Sequence, residues 1–413
     1  MWQLRDCLTV KNLKTQLILN RHKTNYFVKS QESTIGKRIM KKVNEIQLDK
    51  LPQMEVGKRI PKLLDLISDT NLDAVVVTNL VNIRYLTGFS GSAGILAVLK
   101  NGEVAIHTDG RYGIQVEQEL KAANVVAEII VASPKIQLKK LTKFVRNSKK
   151  IGIEGQQIAY DTAARFALMF EGSDIVPSGN LIEKLRTVKD EGEIARIEAA
   201  CNVADKALEM ASSLFRPGIS ELDFATELDY NIRLMGASAN SFESIVASGP
   251  NGALPHAKPT ARKFAQGDLV VCDFGAIVDG YCSDMTRTVA IGKPSSELLK
   301  IYNIVKDAQD LGVNAVKAGV STTRVDRACR DYIGQKGYKE YFTHSTGHGV
   351  GLDIHELPWV ASSFSTKLVE NMIVTVEPGI YLEGLGGVRI EDTLVVTASG
   401  GKILTKATKE LTI

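Results

Sequence analysis

The chain has 413 residues, of which 44% are hydrophobic and 24% charged, with a formal net charge of +4. That length predicts two or three domains with ample material for their cores, and no run approaches the roughly 18 apolar residues of a membrane span. Five cysteines (Cys7, Cys201, Cys272, Cys282 and Cys329) form no CxxC pair, which excludes a secreted disulfide scaffold and a thiolate zinc cluster and suits a cytoplasmic location.

The charge is unevenly spread. Residues 1–53 carry 11 Lys/Arg and 4 Asp/Glu, whereas the remainder carries 40 and 43, so the globular part is not a basic nucleic-acid binder. The leader has no apolar core of secretory length; its best candidate is Leu17-Ile18-Leu19. Its Lys-rich, acid-poor composition permits an organelle transit peptide. The plainer expectation is a disordered tail, or a start upstream of a true first residue at Met54.

From Met54 the pattern becomes regular. Lys58–Ser68 reads as an amphipathic helix and Asp73–Thr78 as a buried strand. Gly94–Leu99 and Glu103–Thr108 read as a hairpin turning at Asn101-Gly102. Helices and strands then alternate to Gly179, which predicts an α/β domain over residues 54–180. Asn180–Asp190 leads into a long helix with Ile194, Ile197, Cys201, Ala204, Leu208 and Ala211 at helical spacing, opening a second domain over 181–413. That domain contains an echo. Helices end at Pro217-Gly218-Ile219-Ser220 and again at Ala318-Gly319-Val320-Ser321, each Ser placed to cap a following helix, with Asp223 at capping-box spacing from Ser220. Such an echo suits a pseudo-twofold domain with a site between its halves.

The histidines point to chemistry. Four of the six (His256, His344, His348 and His355) lie between residues 256 and 355. Around them, carboxylates border apolar strands: Asp273 ends Val270–Phe274, Asp284 follows in Gly280–Thr288, Glu377 ends Ile373–Val376, and Glu391 precedes Thr393–Val396. Singly, each Asp or Glu reads as a turn former, and a buried His as a satisfied core residue. Together, four carboxylates so placed would cost several kcal/mol each if left unpaired, and two divalent cations would balance them. Four carboxylates with an imidazole make a hard donor set that suits Mn²⁺. Rival motifs fail. Asp273-Phe274-Gly275 has no glycine-rich phosphate loop or HRD beside it. His355-Glu356 cannot begin a zincin helix, because Pro358 forbids it. Gly88, Gly91 and Gly94 do not have the dinucleotide spacing. Cys272 and Cys282 read as buried neighbours of the aspartates.

These pieces in this order resemble the metal-dependent Xaa-Pro peptidases of pita-bread fold, aminopeptidase P and prolidase: Asp273-Phe274-Gly275 and Gly280–Thr288, then Thr343–Glu356 with His348, then Glu377-Pro378-Gly379-Ile380-Tyr381, then Val388-Arg389-Ile390-Glu391-Asp392. Asn82–Ser92 resembles the same family's creatinase-like first domain. The resemblance covers residues 55–413 and implies an α/β N-terminal domain followed by an α+β pita-bread catalytic domain with pseudo-twofold halves. It implies that Asp273, Asp284, His348, Glu377 and Glu391 hold two divalent ions, Mn²⁺ first and Co²⁺ or Zn²⁺ next. A bridging hydroxide would attack the bond before proline, with Glu377 shuttling the proton. By the same resemblance His256 and His355 hold substrate and oxyanion, His344 is a further pocket histidine, and Arg389 supports the site. The implied substrate is a peptide with proline at its second position, and the implied assembly a homodimer or larger homo-oligomer.

One departure bears on substrate length. Prolidase-like members often carry Arg after the Pro of His-Glu-x-Pro, where it holds a dipeptide's carboxylate; here that residue is Trp359. The chain therefore reads first as an aminopeptidase and second as an Xaa-Pro dipeptidase, with Arg84 a candidate substitute for the missing cation. Methionine aminopeptidase is disfavoured by the long first domain and His344, and a metal-free amidinohydrolase or a non-catalytic peptide-binding module by the retention of all five ligands.

Overall fold

The computed structural model describes residues 46–412. The leader's first 45 residues, with Cys7, lie outside them. Residues 46–53 do have a place: the Pro52 carbonyl accepts from Arg196 and the chain at Gln53 runs against Gly192, where a Cβ would not fit.

The first part is a six-stranded mixed sheet between helices. Its elements are α1 (Arg59–Ser68), β1 (Ala74–Val77), α2 (Leu80–Thr87), β2 (Ile95–Leu99), β3 (Val104–Thr108), α3 (Gly113–Ala122), β4 (Glu128–Val131), α4 (Pro134–Val145), β5 (Lys150–Ile153), α5 (Tyr160–Met169) and β6 (Asp174–Pro177). The strand order is β4-β3-β2-β1-β5-β6. β1 pairs in parallel with β5 and antiparallel with β2. Its unbroken Ala-Val-Val-Val run follows from that central place, since helices cover both faces. The β2–β3 hairpin turns where predicted, with Gly102 at φ +94° and the Asn101 side chain accepting from the Glu103 amide. Helix α6 (Leu181–Arg186) then adds Leu181 and Ile182 to the first core, so the change of core falls just beyond the expected residue 180.

The second part repeats one unit. Helices α7 (Glu191–Ala211) and α8 (Glu221–Leu234) pack on β8 (Ile245–Ser248), β9 (Leu269–Phe274) and their neighbours, after the short β7 (Ala239–Asn240). The strands β10 (Ala276–Val278), β11 (Tyr281–Cys282) and β12 (Met285–Ala290) complete that half. Helices α9 (Ser296–Ala315) and α10 (Thr322–Gln335) pack on the other half. It comprises β13 (Gly347–Gly349), β14 (Glu356–Val360), β15 (Ile373–Val376), β16 (Gly379–Leu382), β17 (Gly386–Arg389), β18 (Asp392–Val396) and β19 (Gly401–Ile403). The echo in the sequence corresponds to matching backbone. Ser220 and Ser321 cap α8 and α10, and each bridges a lysine backbone, Lys263 and Lys367. Gly218 and Gly319 donate to Phe264 and Leu368 in the same way. This is the pseudo-twofold pita-bread arrangement.

Among the described residues no helix is long and apolar enough to cross a membrane. One buried group in the first sheet has a measurable cost. His107 on β3 is fully buried, and neither ring nitrogen has a hydrogen-bond partner among the described residues. Burial, helped by the Lys140 charge, pushes its pKa down to about 4. Its unfolded value is about 6.5, so between these values the unfolded chain binds the extra proton and stability falls as pH falls. His107→Leu is expected to remove this slope, up to about 1.4 kcal/mol per pH unit between pH 6.5 and 4. Urea unfolding of both proteins at pH 7 and pH 5 measures it.

Candidate active site

Each half of the second domain delivers two carboxylates on one antiparallel strand pair. In the first, β9 and β12 pair with Asp273 opposite Thr286. Asp284 lies just before β12, in the turn that passes over Gly275, and a Cβ on Gly275 would strike the Ser283 carbonyl. In the second, β15 and β18 pair with Val376 opposite Asp392. That register sets Glu377 and Glu391 side by side as the residues just beyond the paired ends. The Glu391 amide donates to the Thr286 carbonyl at 3.1 Å, stitching the two halves together. His348 enters on β13 between Gly347 and Gly349, whose backbones lie against Thr375 and Leu357 with no room for a side chain. Hence the Gly-His-Gly sequence.

The four carboxylates and His348 converge. Asp273, Asp284 and Glu391 offer carboxylate oxygens within 4.8 Å of one another, and ligand atoms are as close in the groups His348, Glu377 and Glu391 and Asp284, His348 and His355, the histidines through a ring nitrogen. His348 Nδ1 lies 3.0 Å from the Gly349 carbonyl, and its Nε2 faces Glu377 at 3.3 Å and Asp284 at 3.5 Å. Burial, and then Glu391's charge, pushes the Asp284 carboxyl well above its ordinary range. Burial, and then Glu377, does the same to Glu391. Burial also pushes Glu377 upward, but the His348 hydrogen bond with the His348, His344 and Arg389 charges outweighs it and holds this carboxyl at about 2. Asp273 Oδ1 and Glu391 Oε1 are buried with no hydrogen-bond partner among the described residues. Orphaned oxygens in a crowded, desolvated carboxylate cluster fit a divalent metal centre.

The remaining expected residues line the same cavity of about 470 Å³: His256, His344, His355 and Arg389, with Trp359 in its wall. The His355 ring stands 4.4 Å from that of His348 and nearly perpendicular to it. Arg389 is buried, not a surface strand residue. Its Nη2 pairs with Asp273 at 2.6 Å, its Nε donates to Thr286, and its Nη1 donates to Tyr381 and to the carbonyl of Pro255, beside His256. His344 has both nitrogens engaged, Nδ1 at 2.8 Å from the Ser345 carbonyl and Nε2 at 2.9 Å from Tyr381 Oη. Arg84 is not brought here. It pairs with Asp279 at 3.1 Å and lines a separate small cavity with Gly280 and Leu352, because α2 belongs to the first sheet. Cys272 and Cys282 are buried free thiols, their ionisation pushed up by burial.

Sequence reasoning misses two supports. Tyr381 bridges His344 and Arg389, and the available signal is a tyrosine in an apolar run, whose hydroxyl must find a partner once buried. Glu356 reads in the sequence only as part of a motif. It is buried between Arg186 and Lys189 (2.7 Å), both from the segment joining the two parts, and Arg186 continues to Asn82 of α2 and to Asp353.

Comparison with known proteins agrees with this geometry. The profile of metallopeptidase family M24 matches residues 195–398, and that of the creatinase/prolidase N-terminal domain matches residues 59–188. An uncharacterized peptidase of Bacillus subtilis, YqhT, is 41% identical over 86% of this chain and 99% of its own length. The structure of an Xaa-Pro dipeptidase from Bacillus anthracis superposes with a TM-score of 0.82 at 40% identity, over 86% of this chain and 99% of that one. An X-Pro aminopeptidase from Thermotoga maritima superposes at 0.76 with 35% identity, over 83% and 98%.

Proposed function

This chain belongs to metallopeptidase family M24, and from that premise we propose that it removes the N-terminal residue from peptides whose second residue is proline. The observation that carries the reading is the cluster of four carboxylates and His348, with two orphaned oxygens, in a cavity walled by three further histidines. Asp273, Asp284, His348, Glu377 and Glu391 are proposed to hold two divalent ions, Mn²⁺ before Co²⁺ or Zn²⁺, because the donor set is oxygen-rich. When bound, such ions supply Lewis acidity toward a carbonyl oxygen and make water a nucleophile at neutral pH.

The chain's own residues then divide the work. Glu377 takes the proton of the attacking water at a carboxylate oxygen and returns it to the leaving proline nitrogen. That nitrogen has no hydrogen of its own, so it cannot leave without one. His355 and His256 donate to the substrate carbonyl oxygen and its backbone. His344 is spoken for by Ser345 and Tyr381, so it shapes the wall and, through Tyr381, steadies Arg389.

Aminopeptidase rather than dipeptidase action is favoured by charge. The Lys and Arg residues lining the cavity are Lys258 and Arg389, each already paired, with Glu243 and Asp273, and Trp359 offers no cation for a dipeptide's carboxylate. The Xaa-Pro dipeptidase reading is supported by the likeness to the Xaa-Pro dipeptidase of Bacillus anthracis. We also place the boundary between the domains after α6, and propose a cytoplasmic homo-oligomer, for which the free buried thiols are suitable.

The test compares Ala-Pro, Ala-Pro-Ala and Ala-Ala-Ala as substrates of Mn²⁺-loaded and metal-stripped protein, with bound metal counted by mass spectrometry. Cleavage of Ala-Pro-Ala, loss of cleavage on stripping and two ions per chain are expected. Cleavage of Ala-Ala-Ala at the same rate would sink the proline specificity, and preference for Ala-Pro would favour the dipeptidase.

A further inference from the structure

The Asn82–Ser92 segment of the first domain does not line the catalytic cavity. Asn82 is nevertheless joined to the wall of that cavity by a run of buried polar contacts. We infer that Asn82 and Arg186 are positioning residues for His355, so that the first domain contributes to the rate of the reaction; the inference rests on the role given to His355 above.

His355 depends on support from outside its own side chain. It is exposed, its ring stands edge-on to that of His348, and among the described residues no hydrogen bond holds the ring itself. Its aim therefore follows from the backbone of residues 351–356, the segment that joins β13 to β14. Arg186 grips that segment on both sides of the histidine. Its Nη2 pairs with Asp353 at 2.7 Å and also with Glu356. Leu352 of the same segment packs on the first domain's core.

Asn82 sets where Arg186 points. Its Oδ1 accepts from Arg186 Nη1 at 2.9 Å, and its Nδ2 donates to Glu154 Oε1 and to Glu183 Oε1, each at 2.7 Å. Both amide hydrogens are thereby used. Glu154 is anchored in turn, its Oε2 accepting from the Thr78 and Asn79 amides beyond β1 at 2.7 and 2.8 Å. Asn82 is fully buried and Arg186 is 4% exposed. A neutral amide thus stands between one buried cation and two carboxylates. Without it, Arg186 loses a partner and meets two anions that have each lost a donor, and a charge-assisted pair with them is the stronger bond. Moving toward Glu154 and Glu183 would release Asp353 and Glu356, and with them the segment that aims His355. Misplacing a group by about 1 Å from a distant site is enough to cost on the order of 10²-fold in rate.

The experiment measures kcat and KM for Ala-Pro-Ala with the full-length metal-loaded enzyme, with Asn82→Ala, Asp353→Asn and His355→Ala, and with the two double variants that add His355→Ala to each of the others. Asp353 has a side chain 41% exposed, so its substitution carries the test where loss of Asn82 impairs folding. Metal content and urea midpoints accompany the rates. Asn82→Ala should lower kcat about tenfold or more and Asp353→Asn about threefold or more, with KM and metal content little changed. In the His355→Ala background neither should lower kcat by more than about twofold, because the group they position is gone. A purely structural role would carry over to that background in full. Equal losses in both backgrounds, or a parent rate in both single variants, overturns the inference. A His355→Ala enzyme as fast as the parent overturns it by removing the role of His355, while Xaa-Pro cleavage stands. A parent that cleaves no Xaa-Pro peptide overturns the underlying reading, and the inference with it.

Discussion

Glu377→Gln is expected to lower kcat for Ala-Pro-Ala by three orders of magnitude or more while leaving the fold intact. The substitution keeps shape and volume, and the backbone anchor, the Glu377 amide donating to Thr346, does not involve the side chain. What it removes is the acceptor. An amide oxygen cannot take a proton near neutral pH, and positioned general-base catalysis alone contributes about 10²–10⁴-fold. It also removes one of the oxygens facing His348 Nε2, so bound metal should fall as well. Steady-state kinetics, metal content and the urea midpoint separate the contributions. A loss of rate with both ions retained assigns the proton transfer to Glu377, and undiminished turnover would refute that role.

The second large effect is on stability, at the residue that follows His355 in the chain. Glu356→Gln should cost on the order of 3–5 kcal/mol, because it leaves two buried cations with one partner fewer. Arg186 and Lys189 have side chains 4% and 1% exposed and both rest on this carboxylate. Burial pushes Glu356 upward, yet the Lys189 and Arg186 charges outweigh it and hold its pKa below the ordinary value. The stability it brings is therefore present above the unfolded carboxylate value of about 4.3 and is lost as pH falls through the lower folded value. The double variant Lys189→Met with Glu356→Gln should be less damaging than Glu356→Gln alone, since Arg186 keeps Asp353. Urea midpoints of the two single variants and the double one complete the cycle; simple additivity would mean that the ion pair carries no coupling. Because His355 is the preceding residue, the single variant should also lose activity beyond its loss of folded protein.

Much of this was readable in the sequence, for a physical reason. Few residue types can hold a metal, so Asp273, Asp284, His348, Glu377 and Glu391 stand out as candidates where they flank apolar strands, and the structure brings their side chains together. Capping residues are equally local, and Ser220, Ser321 and the Asn101-Gly102 turn appear where expected. The supports were not legible, because their partners are distant in the chain. Nothing near Glu356 in sequence suggests Arg186 or Lys189, 170 and 167 residues away. Nothing near Asn82 suggests that its side chain would meet Glu154, Glu183 and Arg186. Arg84 illustrates the converse. Its charge made it available on paper as a carboxylate clamp, and only the placement of α2 shows that it is committed to Asp279.

The division of the carboxylates between two repeated halves has a consequence for the life of the chain. Asp273 and Asp284 come from one repeat and Glu377 and Glu391 from the other, and the segment Thr405–Leu411 braces the second pair. Thr405 and Lys409 reach Asp392, and the Ala407 carbonyl holds Arg287. A nascent chain that stops before Glu377 holds only one repeat's carboxylates, and one that stops before Thr405 lacks the contacts that fix Asp392 and Arg287. The four carboxylates thus come together only once both repeats have met.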